Sequence, residues 1–420
     1  MAKREAVFRP LMSKGWTALR HGALVPFLFI LPFLFGIGGK LYRSRLWFGD
    51  YQAMACAGEK VQAHQPFYDI HLSCPGMHAS SFVYIPAIAD LFAGLERLIG
   101  EPGVFGLYLL LFVAGLAVLV AGPLRWAPGT WRDKLPFTVF IGGSAVMWGN
   151  VAVPLHALIL GAALCLESAP WLFVAAVVLA AAVKPVFLTY LAVVLLTRRS
   201  WLQRMVLITT GVAAGLAPTL WFAFSDPGTA FQWAQLLSHF VYDVTPGSGF
   251  YGWLSFLGAR SDTLLAQASY LVYAGVLAFS ALYAAFRLKL DDQSRLWLGL
   301  SVATLLIPRI MSQDVFLLGP GLVLVARHAA DLADSRAAPE GRLTRALLRH
   351  GPAVVWGLCL MALVFGTVEH SRYSTPLALL GFSLYLIALG GALARDGLAR
   401  AVETRRTPWA DLAPARERRL

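Results

Sequence analysis

Charged residues are scarce in this 420-residue sequence, where Asp, Glu, Lys and Arg together make up 14% of the chain. Soluble domains carry about 25% charged residues, so the composition excludes a separate soluble domain. Hydrophobic residues make up 58% and the mean hydropathy is +0.64. The sequence therefore predicts a polytopic membrane protein that forms a single integral-membrane domain over residues 1–420.

Cysteine is also rare, and common catalytic motifs are missing. The sequence contains no serine nucleophile elbow, no paired Cys-x-x-Cys motif and no visible repeat of about 20–50 residues. Of the four cysteines, Cys165 and Cys359 lie in apolar runs and are predicted to be packing residues. Cys56 and Cys74 share the first polar interval, where they form a disulfide in an oxidising compartment or remain as two thiols.

Acidic residues are outnumbered, and the net charge is +12. Most Lys and Arg residues lie in short loops and at the two ends, as the positive-inside rule and anionic lipids favour. No basic stripe on a soluble face is present, so nucleic acid is not a predicted partner. This pattern places residues 1–22 and the Arg-rich tail 395–420 in the cytoplasm, and the polar intervals 40–81, 225–261, 308–314 and 369–375 outside.

Long apolar runs recur along the chain and predict an all-α fold with about ten to twelve transmembrane helices. Several runs are shorter than the roughly 20 residues that a crossing needs, so they are interpreted as half-helices or paired broken segments. Residues 82–99 contain Asp90, Glu96 and Arg97 and are amphipathic. This segment is expected to lie in the interface or to enter the membrane as a short helix.

The outward interval 40–81 follows the first apolar run and is the predicted catalytic loop, with short interfacial helices. Asp50 stands close to the edge of that run, where a lipid-carried substrate would present its polar head. A carboxylate at the membrane boundary is costly to keep and is a site candidate. The alternative is that Asp50 caps a short interfacial helix.

Two cations interrupt apolar stretches further along. Lys184, followed by Pro185, needs an anion or a cavity at membrane depth, unless its side chain snorkels to the surface. Arg309 and Asp314 flank a short polar interval. Arginine binds phosphate with a two-pronged fork, which makes Arg309 a candidate phosphate ligand, and a hairpin with an Arg309–Asp314 ion pair is the alternative.

Further polar residues are weaker candidates for substrate binding. Asn150 and His156 begin an apolar run and otherwise serve as a helix cap and a packed histidine. His239, Tyr242 and Asp243 form a polar group that is a candidate acceptor site. His64, His71 and His78 recur every seven residues, which does not match the paired spacing of zinc sites, so no metal and no cofactor are predicted.

The order of these motifs resembles the integral-membrane C-type glycosyltransferases of family 87, which use a polyprenyl-phosphate sugar as donor. The residues that carry this resemblance span roughly 20–330 and are Asp50, Tyr51, Ala53, Gly58, Pro66-Phe67-Tyr68, Phe82-Val83-Tyr84-Ile85-Pro86, Gly149-Asn150, Lys184-Pro185, Thr197-Arg198-Arg199-Ser200-Trp201, Pro308-Arg309 and Asp314-Val315-Phe316. The chain departs from the family pattern at Asn150, where Gln is common.

The resemblance implies a membrane hexosyltransferase of the cell envelope, with mannose as the favoured sugar and an inverting single displacement. Asp50 would be the general base, and Lys184 and Arg309 would bind the donor phosphate. The remaining implied substrate contacts are Tyr51, Tyr68, Tyr84, Asn150, His156, His239 and Asp314. The implied partners are the polyprenyl-phosphate donor, a lipid or glycan acceptor and membrane lipids, and the chain is expected to act as a monomer in the inner (plasma) membrane, with the site facing the periplasm or exterior.

Two other functions remain open. A transporter or flippase for lipid-linked saccharides would also place charges in the membrane, but it should show inverted repeats. An O-antigen ligase or polymerase acts on diphosphate-linked sugars and favours an outward loop rich in Arg and His. The interval 225–261 holds only His239 and Arg260 of these residue types.

Overall fold

A computed structural model describes residues 24–42, 47–77, 81–335, 339, 341–367 and 371–403. The predicted cytoplasmic segment 1–22 and the end of the tail, 404–420, lie outside the described residues. Within the described part, the regular structure is helical apart from one isolated β-bridge between Cys74 and Met77. The predicted all-α class is therefore confirmed.

The helices fall into three groups along the chain. The first group is α1 (Leu24–Tyr42), α2 (Gly49–Gln62), α3 (Pro86–Trp126), α4 (Trp131–Lys134), α5 (Gly143–Met147) and α6 (Ala152–Leu164). The second group is α7 (Pro170–Val183), α8 (Ala192–Leu196), α9 (Trp201–Ser225), α10 (Pro227–Ser238) and α11 (Phe250–Phe256). The third group is α12 (Leu264–Arg287), α13 (Asp292–Leu305), α14 (Gly319–Ala333), α15 (Arg342–Thr367) and α16 (Ser371–Glu403).

Six helical segments of the described chain are long and apolar enough to cross a membrane. They are Pro86–Trp126, Trp201–Ser225, Leu264–Arg287, Val315–Ala333, Arg342–Leu363 and Ser374–Ala399. Three shorter apolar segments, Ala152–Leu164, Pro170–Val183 and Pro185–Leu196, accompany them. The chain is therefore a membrane-embedded helical protein, and the number of ten to twelve crossings stays a prediction.

Residues 86–99 of the amphipathic segment 82–99 form the first part of α3. Gly100 breaks this helix with φ 72°, a left-handed value that glycine adopts without steric cost. Pro102, two residues later, cannot donate a backbone hydrogen bond. The break separates a first half that carries Asp90 and Glu96 from an apolar second half, so the two halves of α3 take different directions.

The centre of the bundle is formed by α13 and α14. The Val315–Ala333 segment is mostly buried inside the protein, whereas most of Trp201–Ser225 is not buried. Trp297 is fully buried, and a Cβ atom on Gly321 would collide with its carbonyl oxygen. Small residues let membrane helices approach closely because no side chain separates the backbones. This close approach packs the start of α14 against α13, and the polar segment that carries Arg309 and Asp314 joins the two helices.

A disulfide cross-links the interval 40–81, the predicted outward loop. Cys56, in α2, is bonded to Cys74, with the two Cα atoms 5.7 Å apart. The alternative of two free thiols is therefore wrong, and the bond ties α2 to the chain that leads into α3. Cys165 and Cys359 are free. Cys359 is buried, as predicted, but Cys165 is exposed, so its prediction as a packing residue is wrong.

Removing this disulfide should destabilise the interval 40–81. We expect the double substitution Cys56→Ser and Cys74→Ser to lower the free energy of unfolding by about 3 kcal/mol, because closure of an 18-residue separation restricts the unfolded chain. Thermal unfolding in detergent measures the effect, with the exposed Cys165→Ser as the control. Titration of more than two thiols in the denatured, unreduced parent protein would contradict the pairing.

Candidate functional site

Asp50 lies in the first turn of α2, and backbone hydrogen bonds join this turn to Met147 and Trp148. Phe48 precedes the helix in a left-handed conformation with φ 59°, and its N–H donates to the Met147 carbonyl at 2.9 Å. Asp50 N–H donates to the Trp148 carbonyl at 3.3 Å. Gly149 has φ 58°, and a Cβ atom there would strike the Phe48 ring. The N-cap position is Phe48, so the interpretation of Asp50 as the helix cap is wrong.

Asn150 links this carboxylate to the rest of the site. Its Nδ2 donates to Asp50 Oδ2, and its Oδ1 accepts from the Ala152 N–H at 2.9 Å. Oδ1 also accepts from Lys184 Nζ at 2.7 Å. The N-cap of α6 is Val151, so the interpretation of Asn150 as the helix cap is wrong, although Asn150 accepts from the first N–H of the helix. Asn150 also joins Asp50 to Lys184.

Lys184 lies at the carboxyl end of α7, where the chain changes to a 3-10 segment, Pro185–Leu191. A helix carboxyl end is the favourable end for a cation because the last carbonyls point toward it. Nζ lies 5.4 Å from the centre of the Tyr84 ring, within cation–π range. Together with the bond to Asn150, this contact shows that the side chain points into the site, so the snorkelling alternative is wrong.

Arg309 lies in the segment between α13 and α14 and is half-buried. Its Nε donates to the Thr245 carbonyl at 2.6 Å, and one terminal nitrogen donates to Thr245 Oγ1. The guanidinium is thus oriented by Thr245 and is not paired in a hairpin with Asp314. Thr245 is a positioning residue that sequence reasoning missed.

The sequence did carry a signal for this contact, in the spacing Gly247-x-Gly249-x-x-Gly252. Gly247 has φ +76°, and its hypothetical Cβ would lie 2.7 Å from the Ile310 carbonyl oxygen. A Cβ on Gly249 would lie 2.7 Å from the Ile307 carbonyl oxygen. The Ser248 N–H donates to the Ile310 carbonyl at 2.7 Å. These glycines allow the loop to pack against the Arg309 segment backbone to backbone.

Asp314 belongs to a buried chain of polar groups. One oxygen, Oδ1, lies 3.4 Å from His156 Nε2, and the other accepts from the Met311 N–H at 2.8 Å. His156 is fully buried, and its Nδ1 lies 3.0 Å from the Tyr190 hydroxyl. Tyr190 in turn contacts Thr304 Oγ1 at 3.3 Å. The histidine is packed, as its alternative interpretation expected, but it also orients an acidic group of the site.

Electrostatic interactions relate four charges in this region. Lys184 interacts with Asp50, Asp314 and Arg309. Burial lowers the pKa of Arg309, and Asp314 and Asp50 oppose that shift. Burial also raises the pKa of Tyr84 well above its usual value, with Asp50 the next cause. We call Asp50, Lys184, Arg309 and Asp314 the charge cluster; its two carboxylates and two cations carry equal formal charge.

Asn150, Tyr84 and His156 contact members of the charge cluster. The other three predicted contact residues outside it are Tyr51, Tyr68 and His239. Tyr51 is buried among Phe92, Phe105 and Tyr108, and burial raises its pKa to about 12, with Glu101 and Glu96 the next causes. The Tyr68 hydroxyl donates to the Tyr84 carbonyl at 2.8 Å. This bond helps to position Tyr84, whose ring lies next to Lys184 Nζ.

His239 Nδ1 lies 3.1 Å from Asp243 Oδ2 in an exposed pair. The neighbouring Tyr242 accepts a hydrogen bond from Gln267 Nε2 at 3.0 Å. The roles of Tyr51, Tyr68 and His239 in binding remain predictions. The described part of the chain shows no group of three His, Cys, Asp or Glu residues arranged for a metal ion. His78 lies outside the described residues.

The geometry gives the site a definite chemical capacity. A carboxylate can accept a proton, and Lys184 and Arg309 can stabilise developing negative charge on a phosphate or phosphate ester. Each charged group stands at or near a helix end, so the rigid bundle holds it in position. Comparison of the chain with protein-family models, curated proteins and solved structures finds no match.

Proposed function

We propose that this protein is a membrane glycosyltransferase that moves a hexose or pentose, with mannose favoured, from a polyprenyl-phosphate donor to a lipid or polysaccharide acceptor. The observation that supports this most strongly is the hydrogen-bonded chain from Asp50 through Asn150 to Lys184. The Asn150 amide binds the candidate base, Asp50, through Nδ2 and the candidate phosphate ligand, Lys184, through Oδ1. Arg309 supplies the second cation.

In the proposed reaction, Asp50 takes the proton of an acceptor hydroxyl while that oxygen attacks the anomeric carbon of the donor sugar. The bond between the anomeric carbon and the phosphate oxygen breaks, and its electron pair leaves with polyprenyl phosphate. The configuration at the anomeric carbon inverts in this single displacement. Lys184 and Arg309 balance the charge that develops on the leaving phosphate.

The proposal includes a C-type glycosyltransferase fold with ten to twelve crossings and a site on the outer face of the membrane. The disulfide between Cys56 and Cys74 supports the outward placement, because disulfides persist in oxidising compartments and this bond lies in the loop that begins at the site. Both termini are then cytoplasmic, in agreement with the distribution of basic residues.

A transporter for lipid-linked saccharides is the second candidate. The break between α7 and α8 at Lys184 favours it, because transporters bind charged substrates at the ends of discontinuous helices. An O-antigen ligase or polymerase would use the same cations on a diphosphate. The donor is what separates these three functions.

The test uses the purified full chain and a panel of radiolabelled donors: polyprenyl-phosphate mannose, polyprenyl-phosphate arabinose and a polyprenyl-diphosphate sugar. Total membrane lipids provide the acceptors. We expect labelled glycolipid and free polyprenyl phosphate to form in equal amounts from a monophosphate donor. Transfer from the diphosphate donor alone would favour the ligase or polymerase. Movement of intact donor across liposomes without transfer would favour the transporter.

A further inference from the structure

The end of the bundle opposite the charge cluster contains two cavities. α7 begins at Pro170 and ends next to Lys184, and α13 begins at Asp292 and ends next to the Arg309 segment. The starts of these helices therefore lie at the far end from the charge cluster. The first cavity, of about 240 Å³, is lined there by residues that include Leu166, Glu167, Asp292 and Arg295.

The second cavity, of about 250 Å³, lies between α7 and α9. Its lining is mostly apolar and consists of Pro170, Trp171, Arg199, Leu202, Gln203, Val206 and Leu207. Arg199 also contacts the wall of the first cavity, because one terminal nitrogen donates to the Leu166 carbonyl at 3.0 Å and the Glu167 carbonyl at 2.6 Å. The guanidinium thus stands between the two cavities.

Arg199 retains unused binding capacity. Its side chain is 19% exposed, and the buried Nε finds no hydrogen-bond partner among the described residues. A buried N–H group without an acceptor is costly, and one on a cation more so. The Glu167 carboxylate lies 3.9 Å away from the terminal nitrogen, too far for a hydrogen bond. An anionic oxygen in the second cavity, whose lining includes Arg199, would satisfy this group once a small movement of the side chain exposes the N–H.

The surroundings carry an excess of positive charge. Arg295 interacts with Arg198 and Arg204, and also with Asp292 and Glu167. The Arg204 Nε donates to the Arg199 backbone carbonyl at 2.8 Å, so the Arg204 side chain lies close to the Arg199 backbone. Arg198 is paired with Asp292 at 2.9 Å, and the four arginines, counting Arg199, outnumber the two carboxylates. The balance favours a ligand that brings negative charge.

The apolar lining of the second cavity suits a lipid chain. Trp171 is 52% exposed and Trp201 is 61% exposed, and both stand at the beginning of apolar helices. Tryptophan is enriched at the level of lipid headgroups, which indicates that Arg199 lies at that depth. Leu202 is 74% exposed beside the cavity. A free phosphate would leave this apolar wall uncovered, whereas an acyl chain would cover it.

We propose that this end of the protein binds an anionic phospholipid, with its phosphate on Arg199 and an acyl chain along the groove between Trp171 and Leu202. The site is separate from the charge cluster and does not depend on the proposed transfer reaction. By the orientation predicted from loop charges, it would face the cytoplasmic leaflet, where anionic lipids are concentrated.

The test is native mass spectrometry of the delipidated full chain, titrated with phosphatidylglycerol or phosphatidylcholine. We expect phosphatidylglycerol to bind about tenfold more tightly, and Arg199→Gln to remove most of that preference because a charge-assisted bond is lost. The matched control is Arg260→Gln, since Arg260 is an exposed arginine paired with Asp262. It should bind as the parent does. Equal affinity of Arg199→Gln and the parent for phosphatidylglycerol would overturn the site.

A second variant covers the case in which Arg199→Gln does not fold. Leu202→Glu changes an exposed side chain and adds a negative charge at the edge of the groove. It should weaken phosphatidylglycerol binding about tenfold, and unchanged binding would overturn the proposal. Inorganic phosphate at equal concentration should not displace the lipid. If it does so completely, the acyl chain contributes nothing and the ligand is not a lipid.

Discussion

Replacing Asp50 with asparagine should reduce sugar transfer by about 10²–10⁴-fold, because the substitution removes the proposed proton acceptor and keeps its shape. The Asn150 Nδ2 donates to an Asp50 oxygen in the parent, and an asparagine side chain also offers an oxygen to that donor. Folding and donor binding should therefore be retained. The measurement is the initial rate of labelled glycolipid formation at saturating donor.

The matched control is Asp69→Asn, an acid-to-amide change in the same interval, 40–81. Asp69 is exposed, and its carboxylate accepts a hydrogen bond from the His71 N–H at 2.9 Å. This variant should transfer sugar at the parent rate. If Asp50→Asn also does so while the parent is active, Asp50 is not the base.

The second large effect is expected at Lys184. Lys184→Met removes the ammonium that contacts Asn150 and leaves Arg309 as the single cation of the charge cluster against Asp50 and Asp314. Loss of one preorganised donor to a developing anion costs about 10²–10³-fold in rate. We expect a decrease of that size in kcat/KM together with weaker binding of the product polyprenyl phosphate.

Lys60→Met controls for the loss of a lysine in general. Lys60 lies in α2 and donates to Gln65 Oε1 at 3.2 Å, so it serves a local contact within the first interval. Product binding should be unchanged in this variant. Undiminished product binding by Lys184→Met would contradict the assignment of Lys184 as a phosphate ligand, even if its transfer rate falls.

The sequence predicted several features of the site for identifiable reasons. A charge in an apolar run stands out because its desolvation needs a compensating partner, so Asp50, Lys184 and Arg309 were identifiable one by one. The structure brings them into one electrostatic cluster. The sequence did not indicate a role for Thr245, because threonine is common in loops and carries no charge. Thr245 matters for the site only because it binds Arg309.

The order of motifs in the sequence did not predict the contacts of Tyr51, His156 and Asp314. Tyr51 follows Asp50 directly, yet successive residues of a helix point in different directions, and its ring packs among aromatic side chains of α3. His156 and Asp314 are 158 residues apart, and their contact depends on how α6 packs against the rest of the bundle. Sequence spacing contains no information about such a pair.

Composition by itself determined that this protein is helical and membrane-embedded, because a backbone in lipid must satisfy its hydrogen bonds internally and apolar runs of this length allow helices to do so. Tertiary structure alone decided how Asp50, Asn150 and Lys184 meet and how Asp314 comes to interact electrostatically with Lys184. Their contacts join the ends of helices that are distant in the chain, held in place by the close approach at Gly149 and Gly247. Only packing of the whole bundle sets such distances, since each local segment is compatible with many arrangements of its neighbours.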